Sequence, residues 1–266
     1  MTRTLKTTTA VALFCALTLL LAGCRSKRNE VYQPKVNPEF LNLSKDEIFA
    51  KGEALYAREK WAKSREYFTY VYESFPNDPL ARRSLLRIAD AYQKQGNEVN
   101  LVEAQYKYRD FINRFPTSEL ADYATLQIAN VSFLQMERPD RDQTKTKEAV
   151  QKYREMIALY PTSQHRSEAE ANMRVALDAL ARHEQVVARF YMLRSDFKPA
   201  LARLEGVLRE FPDYTRKDEL FYDLGVSLAG LGRAGEARLY FERVLTEYPD
   251  GEAADEARKH LGKLPA

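Results

Sequence analysis

An aromatic residue followed by proline recurs five times along this chain, at Phe75-Pro76, Phe115-Pro116, Tyr160-Pro161, Phe211-Pro212 and Tyr248-Pro249. Twelve residues before each proline stands a small side chain (Ser64, Ala104, Ala149, Ala200, Ala237), and eight before it a large one (Phe68, Tyr108, Tyr153, Leu204, Phe241). Proline lacks the N–H that a continuing helix needs and pushes the preceding residue out of the α region, so each pair ends a helix. The small residue lets a second helix approach closely, and the large one a turn later fills the space beside that contact. A first helix with its own small position precedes each: Gly52, Ala89, Ala129, Ala188 and Gly225. The two small positions are twelve residues apart in the first, fourth and fifth units, as a tight hairpin requires. They are fifteen apart in the second and twenty in the third, which predicts insertions in those two turns. Self-similarity of this kind implies a solenoid. The expectation is an all-α, superhelical solenoid of five helical hairpins over 44–264, with units at about 44–76, 80–116, 119–161, 167–212 and 217–249. A short cap helix follows within Ala253 to Leu261.

The last unit reads Phe221-x-x-Leu224-Gly225-x-x-Leu228, then Ala237-x-x-x-Phe241, then Pro249. This resembles the tetratricopeptide repeat, and Ile48, Gly52, Leu55, Ser64, Phe68 and Pro76 of the first unit resemble it nearly as well. The hairpins are therefore expected to be tetratricopeptide-like.

Met1 to Cys24 is not part of that fold. Arg3 and Lys6 precede an unbroken apolar run from Ala10 to Leu21, too short to span a bilayer and suited to the core of a signal peptide. The run ends in Leu21-Ala22-Gly23-Cys24, which resembles the bacterial lipobox. The resemblance implies a lipoprotein signal peptide at 1–23, a lipidated Cys24, and an anchor in the membrane that needs no transmembrane helix. Arg25 follows where an Asp would signal inner-membrane retention, so the resemblance points to the outer membrane. Residues 24–43, with Pro34 and Pro38 and no helical period, read as a flexible tether able to reach roughly 60 Å from the lipid. Cys15 would leave with the signal, so no thiol remains for disulfides, metal or catalysis.

The chain carries 41 Lys+Arg against 38 Asp+Glu, a near balance that gives no electrostatic case for nucleic acid. His165, His183 and His260 lie in different units without metal-ligand neighbours, and no phosphate loop, nucleophile elbow or HExxH is present. The reading is a non-enzyme without cofactor or metal, whose surface does the work. By register, Phe49, Glu53, Tyr56, Leu86, Asp90, Gln93, Leu126, Asn130 and Phe133 line the inner face of the superhelix and form a candidate groove for an extended peptide or a partner's helix. Ser44-Lys45-Asp46-Glu47 is a capping box that opens the first helix. Trp61 is a turn aromatic wedged between paired helices. The third unit carries the longest turn, Glu137 to Thr146, a polar and mobile-looking loop. Ser167 to Arg194 keeps a helical period throughout, about 42 Å of helix whose first half is an extension beyond the repeat.

Three stretches carry a further resemblance. They are Asp140-Arg141-Asp142 with Ala149, Tyr153 and Tyr160-Pro161-Thr162-Ser163; the end of the long helix, Phe190-Tyr191-x-x-Arg194-x-x-Phe197; and Leu204-Glu205-Gly206-Val207-Leu208-x-x-Phe211-Pro212. With the lipobox and five hairpins, the chain resembles the YfiO (BamD) family, lipoproteins of the outer-membrane β-barrel assembly machine. The resemblance implies a place on the periplasmic face of the outer membrane. It also implies binding to the last POTRA domain of a BamA-like barrel protein through units four and five, and reception of unfolded outer-membrane protein substrates on the first units. Carried over by motif, Arg194 becomes an ion-pair contact to that partner, with Tyr191 and Phe197 beside it. A periplasmic repeat lipoprotein organising the cell envelope or division, and a pilotin-like lipoprotein of pilus or secretin assembly, are the alternative readings.

Overall fold

The computed structural model describes residues 37–265. The signal peptide, Cys24 and the tether as far as residue 36 lie outside the described residues. Two compact units divide between Leu43 and Ser44. Of the first, the described part holds a 3-10 turn, Pro38–Asn42, where the Asn37 side chain accepts from the Glu39 N–H at 3.1 Å. The end of the expected tether is thus locally ordered by a proline and a cap.

The second unit is all helix: α1 (Lys45–Ala57), α2 (Trp61–Ser74), α3 (Pro79–Gln95), α4 (Glu98–Arg114), α5 (Ala121–Leu134), α6 (Thr144–Leu159), α7 (Arg166–Leu193), α8 (Phe197–Glu210), α9 (Lys217–Gly230), α10 (Ala234–Glu247) and α11 (Ala254–Leu261). Each helix packs on the next, giving five hairpins (α1/α2 to α9/α10) and a terminal α11 on α10. First helices also touch across units, α1 with α3, α5 with α7 and α7 with α9, and this layer is the inner face.

The repeated residues explain the stacking. All five small positions of the second helices and all five large ones are fully buried. Phe68 lies over Gly52 so closely that a Cβ there would sit 2.7 Å from its Cε1, and Phe241 covers Gly225 with 2.6 Å in the same place. Phe75, Phe115, Tyr160, Phe211 and Tyr248 are the C-caps of their helices, each giving its N–H to the carbonyl four residues back. The proline that follows closes the way onward.

The hairpin turns use one device. The second residue before the second helix is left-handed in four units: Glu59 (φ 58), Gly96 (φ 74), Ser195 (φ 59) and Gly232 (φ 76). The second unit corrects the expectation of an inserted turn. Its turn is only Gly96-Asn97, and the extra residues lengthen α3 and α4 to 17 residues each. Asn97 serves both sides, capping α4 by accepting from the Asn100 N–H at 2.9 Å. The third unit does carry its insertion as a loop, residues 135–143, but the loop is tied down. Buried Gln143 donates to the carbonyls of Arg138 (2.9 Å) and Arg141 (3.1 Å). Asp142 caps α6 through the Thr144 N–H at 2.8 Å, and His183 of α7 meets the Pro139 carbonyl at 2.6 Å.

That last contact shows what the long helix does. α7 is 28 residues without a break. Its first half packs on unit three, where Ala169 joins the core of Leu126, Ala129, Ala149, Tyr153 and Met156. Its second half makes the fourth hairpin, where Ala181 and Ala188 join Ala200 and Leu204. One helix therefore holds two consecutive positions in the stack.

Candidate peptide groove and projecting turn

Neighbouring units are joined along the inner face by one polar contact after another. Between units one and two, Arg87 donates to Glu53 at 2.7 Å and stacks 5.2 Å over the Tyr56 ring. Burial, then the nearby Asp90 charge, pushes the Tyr56 hydroxyl up to about 12. Asp90 itself is 5% exposed and accepts from Tyr108 (2.7 Å), from Tyr123 of the next unit (2.8 Å) and from Arg87 (3.2 Å). Burial still holds its carboxyl above the usual range, because removal from water outweighs those donors. Beside it Arg83, Leu86, Arg87, Asp90, Tyr123 and His165 surround a pocket of about 270 Å³. Phe49 is buried under the Arg83 guanidinium, 4.9 Å above its ring.

From unit two to unit four primary amides take part in the joins. Gln93 donates to Gln127 at 3.0 Å. Asn130 donates to Gln127 (3.3 Å) and to Glu168 of α7 (3.0 Å) and accepts from Tyr153 (2.7 Å) and Asn172 of α7 (3.2 Å). Gln93, Asn130, Phe133, Leu134 and Asn172 border a second, open cavity of about 470 Å³. Between units four and five ion pairs return: Glu219 accepts from Arg182 and Arg189, and Asp223 from Arg189 and Gln185, all at 2.6–2.7 Å. Glu219 is held below its usual range; burial raises it, but the hydrogen bond and charge of Arg182 and then Arg189 outweigh that.

The structure thus brings Glu53, Tyr56, Leu86, Asp90, Gln93, Asn130 and Phe133 to one face, with Phe49 buried at its edge. It removes Leu126, which has no exposed surface and lies in the hairpin core against Ala149 and Tyr153. One residue is a rotation of about 100° on a helix, so the inner-face residue at this level is its neighbour Gln127. Arg83, Arg87, Tyr123, Gln127 and His165 were not read from the sequence. The first four had a signal, since they stand two or six residues before the small residues Ala89 and Ala129. His165 and Asn172 had none, because they belong to the non-repeating end of α7.

The turn after α7 projects. Leu193 is 87% exposed and Phe190 52%, and the Arg194 guanidinium lies 4.6 Å over the Phe190 ring. Arg194 caps α7 and has no carboxylate partner among the described residues. Tyr191 is half-buried against the C-terminal core. Phe197 is half-buried over Gly230, where a Cβ would sit 2.4 Å from its ring, so it holds α8 against α9.

A family profile described as outer membrane lipoprotein, YfiO, matches residues 42–227, and a tetratricopeptide-repeat profile matches 219–251. The chain is 26% identical over 218 residues to the outer membrane protein assembly factor BamD of Haemophilus influenzae, covering 74% of this chain and 75% of that one. It is 24% identical over 230 residues to the factor of the same name from Neisseria meningitidis serogroup A (84% and 85% covered), and 22% over 256 residues to that of Rickettsia prowazekii (93% and 94%). With a profile match over more than half its length, the chain belongs to the YfiO family of outer membrane lipoproteins.

Proposed function

We propose that this lipoprotein is a non-catalytic scaffold of outer-membrane β-barrel assembly. It is held by acyl chains on Cys24 after removal of residues 1–23, and it carries two separate surfaces on one solenoid. The turn of unit four docks on the periplasmic POTRA region of a BamA-like barrel protein. The inner face of units one to three receives segments of unfolded barrel substrates. The observation that carries this reading is the projecting turn, in which a cation without a carboxylate partner among the described residues is stacked on an exposed ring beside an aliphatic side chain 87% exposed. A cation and an apolar knob together suit a partner surface with a carboxylate beside an apolar hollow. The assembly role of the relatives named BamD supports it.

Arg194→Glu should weaken capture of the POTRA region by at least tenfold and leave the melting curve unchanged, because Arg194 makes no ion pair within the described fold. Capture at wild-type strength would remove this turn from the docking surface. Cys24→Ala should move the protein from the membrane to the soluble periplasmic fraction; extraction only by detergent would end the lipid-anchor reading.

A further inference from the structure

We infer that Gln93, Gln127 and Asn172, tied together through the fully hydrogen-bonded Asn130, form an amide ladder that binds the backbone of an extended peptide, so that this part of the inner face reads conformation rather than sequence. The inference rests on the reading above that the inner face receives an unfolded chain, and it specifies how.

The inner-face joins differ along the stack. At both ends they are ion pairs, Arg87 with Glu53, and Arg182 and Arg189 with Glu219 and Asp223. Over units two to four primary amides enter, Gln93 with Gln127 and Asn130 with Asn172, beside Tyr123 with Asp90 and Asn130 with Glu168. A guanidinium only donates and a carboxylate only accepts, whereas an amide does both. A peptide unit also does both, and an extended chain presents N–H and C=O along its edges at a repeat of two residues. Primary amides are therefore the side chains that match a backbone without selecting what it carries.

The ladder is also oriented. Gln127 Oε1 accepts from Gln93 and from Asn130, which fixes which end of its amide faces away from them. Its Nε2 has no partner among the described residues and is not among the buried unpaired atoms, so it is a donor open to solvent. Asn130 Oδ1 is fixed by Tyr153, whose ring is buried behind it, and by Asn172. The strip carries the Glu168 carboxylate on Asn130, and Lys94 lines the cavity beside it. Its outer edge is apolar, with Phe133 half-buried and Leu134 56% exposed. A strand with apolar side chains on alternate positions would lay those on Phe133 and Leu134 and turn one backbone edge to the amides. The occupant is thus an extended, alternating apolar–polar segment, the pattern of a membrane β-strand before it folds.

The test uses the detergent-solubilised full-length lipoprotein and synthetic peptides of about ten residues, one barrel strand long. One peptide alternates apolar and polar residues, a second has the same pattern in shuffled order, and a third is the first with N-methyl groups on alternate amides of one edge. The first two should bind alike, and N-methylation should weaken binding by about tenfold. Gln127→Leu should weaken the unmethylated peptides about tenfold and remove most of the penalty of methylation. If the first peptide binds and methylation changes nothing, the ladder is wrong while the inner face remains a substrate site. If no peptide binds the wild-type protein, the substrate reading falls and the ladder with it. The methylated peptide tests the idea on the unaltered protein, so a poorly folding variant does not decide it.

Discussion

A single carbon decides how tightly each hairpin closes. Gly225 lies under the Phe241 ring with room for no Cβ, while Gly206, in the middle of α8, has its nearest neighbour at 3.8 Å from where one would be. Alanine should therefore act with opposite signs at these two positions. Gly225→Ala should lose about 1–2 kcal/mol, because forcing a ring aside costs more than the gain in helix propensity. Gly206→Ala should gain about 0.5–1 kcal/mol for the same chemical change. Urea midpoints measure both, and a shared sign would mean that the Phe241 contact does not set the packing. The charge on Glu148 gives a second prediction. Burial raises its carboxyl, but Lys145 and Lys152 outweigh this and hold it at about 2. Its pKa is depressed in the folded state, so it stabilises above the ordinary carboxylate range and that stability is lost as the pH falls toward about 2. Glu148→Gln should flatten the decline of Tm between about pH 5 and about pH 2; an unchanged slope would place the acid-sensitive group elsewhere. At this scale the sequence was legible where a residue repeats. Position within each unit located the buried pairs, because one register served five times. It failed at Leu126, where a one-residue misjudgement exchanged a core leucine for Gln127.

Elements show where strain is stored. Two hairpin turns place glycine in the left-handed conformation and two place Glu59 and Ser195 there. A side chain costs about 1–2 kcal/mol in that conformation, so Ser195→Gly should raise stability by about 1 kcal/mol after the entropy of glycine is set against it. A thermal melt checks this, and no gain would mean that the turn relaxes without cost. Asn97→Ala should cost about 1 kcal/mol by leaving the first turn of α4 uncapped. The helices and their ends could be read from proline, glycine and the cap residues. The loop 135–143 could not, because His183 reaches it from α7, far along the sequence, and Gln143 folds back onto the carbonyls of its own loop without a repeating pattern to announce it. Polarity marked it as mobile, but those polar groups are spent on hydrogen bonds.

Across the molecule, the helix shared by units three and four sets cooperativity. In a stack of hairpins each unit is stabilised by its neighbours alone, and such stacks come apart at their weakest junction. Here the junction is the interior of α7, so parting there would break a helix. The repeat domain should unfold in one transition by circular dichroism. Ala179→Pro, which removes an N–H and clashes with the preceding turn, should divide it into two. A single transition at lower temperature would show that side-chain packing alone couples the halves. The same helix bears on how such a chain is able to change in length over generations. Hairpin arrays grow and shrink by copying or deleting whole units, which requires a loop on each side of the piece that moves. Between the half of α7 that rests on unit three and the half that pairs with α8 there is no loop to enter. An extra hairpin placed there would cut the helix, and a deletion of any length other than whole turns would rotate Ala188 away from α8. The other junctions of the chain remain open to such edits, and this one is closed to them.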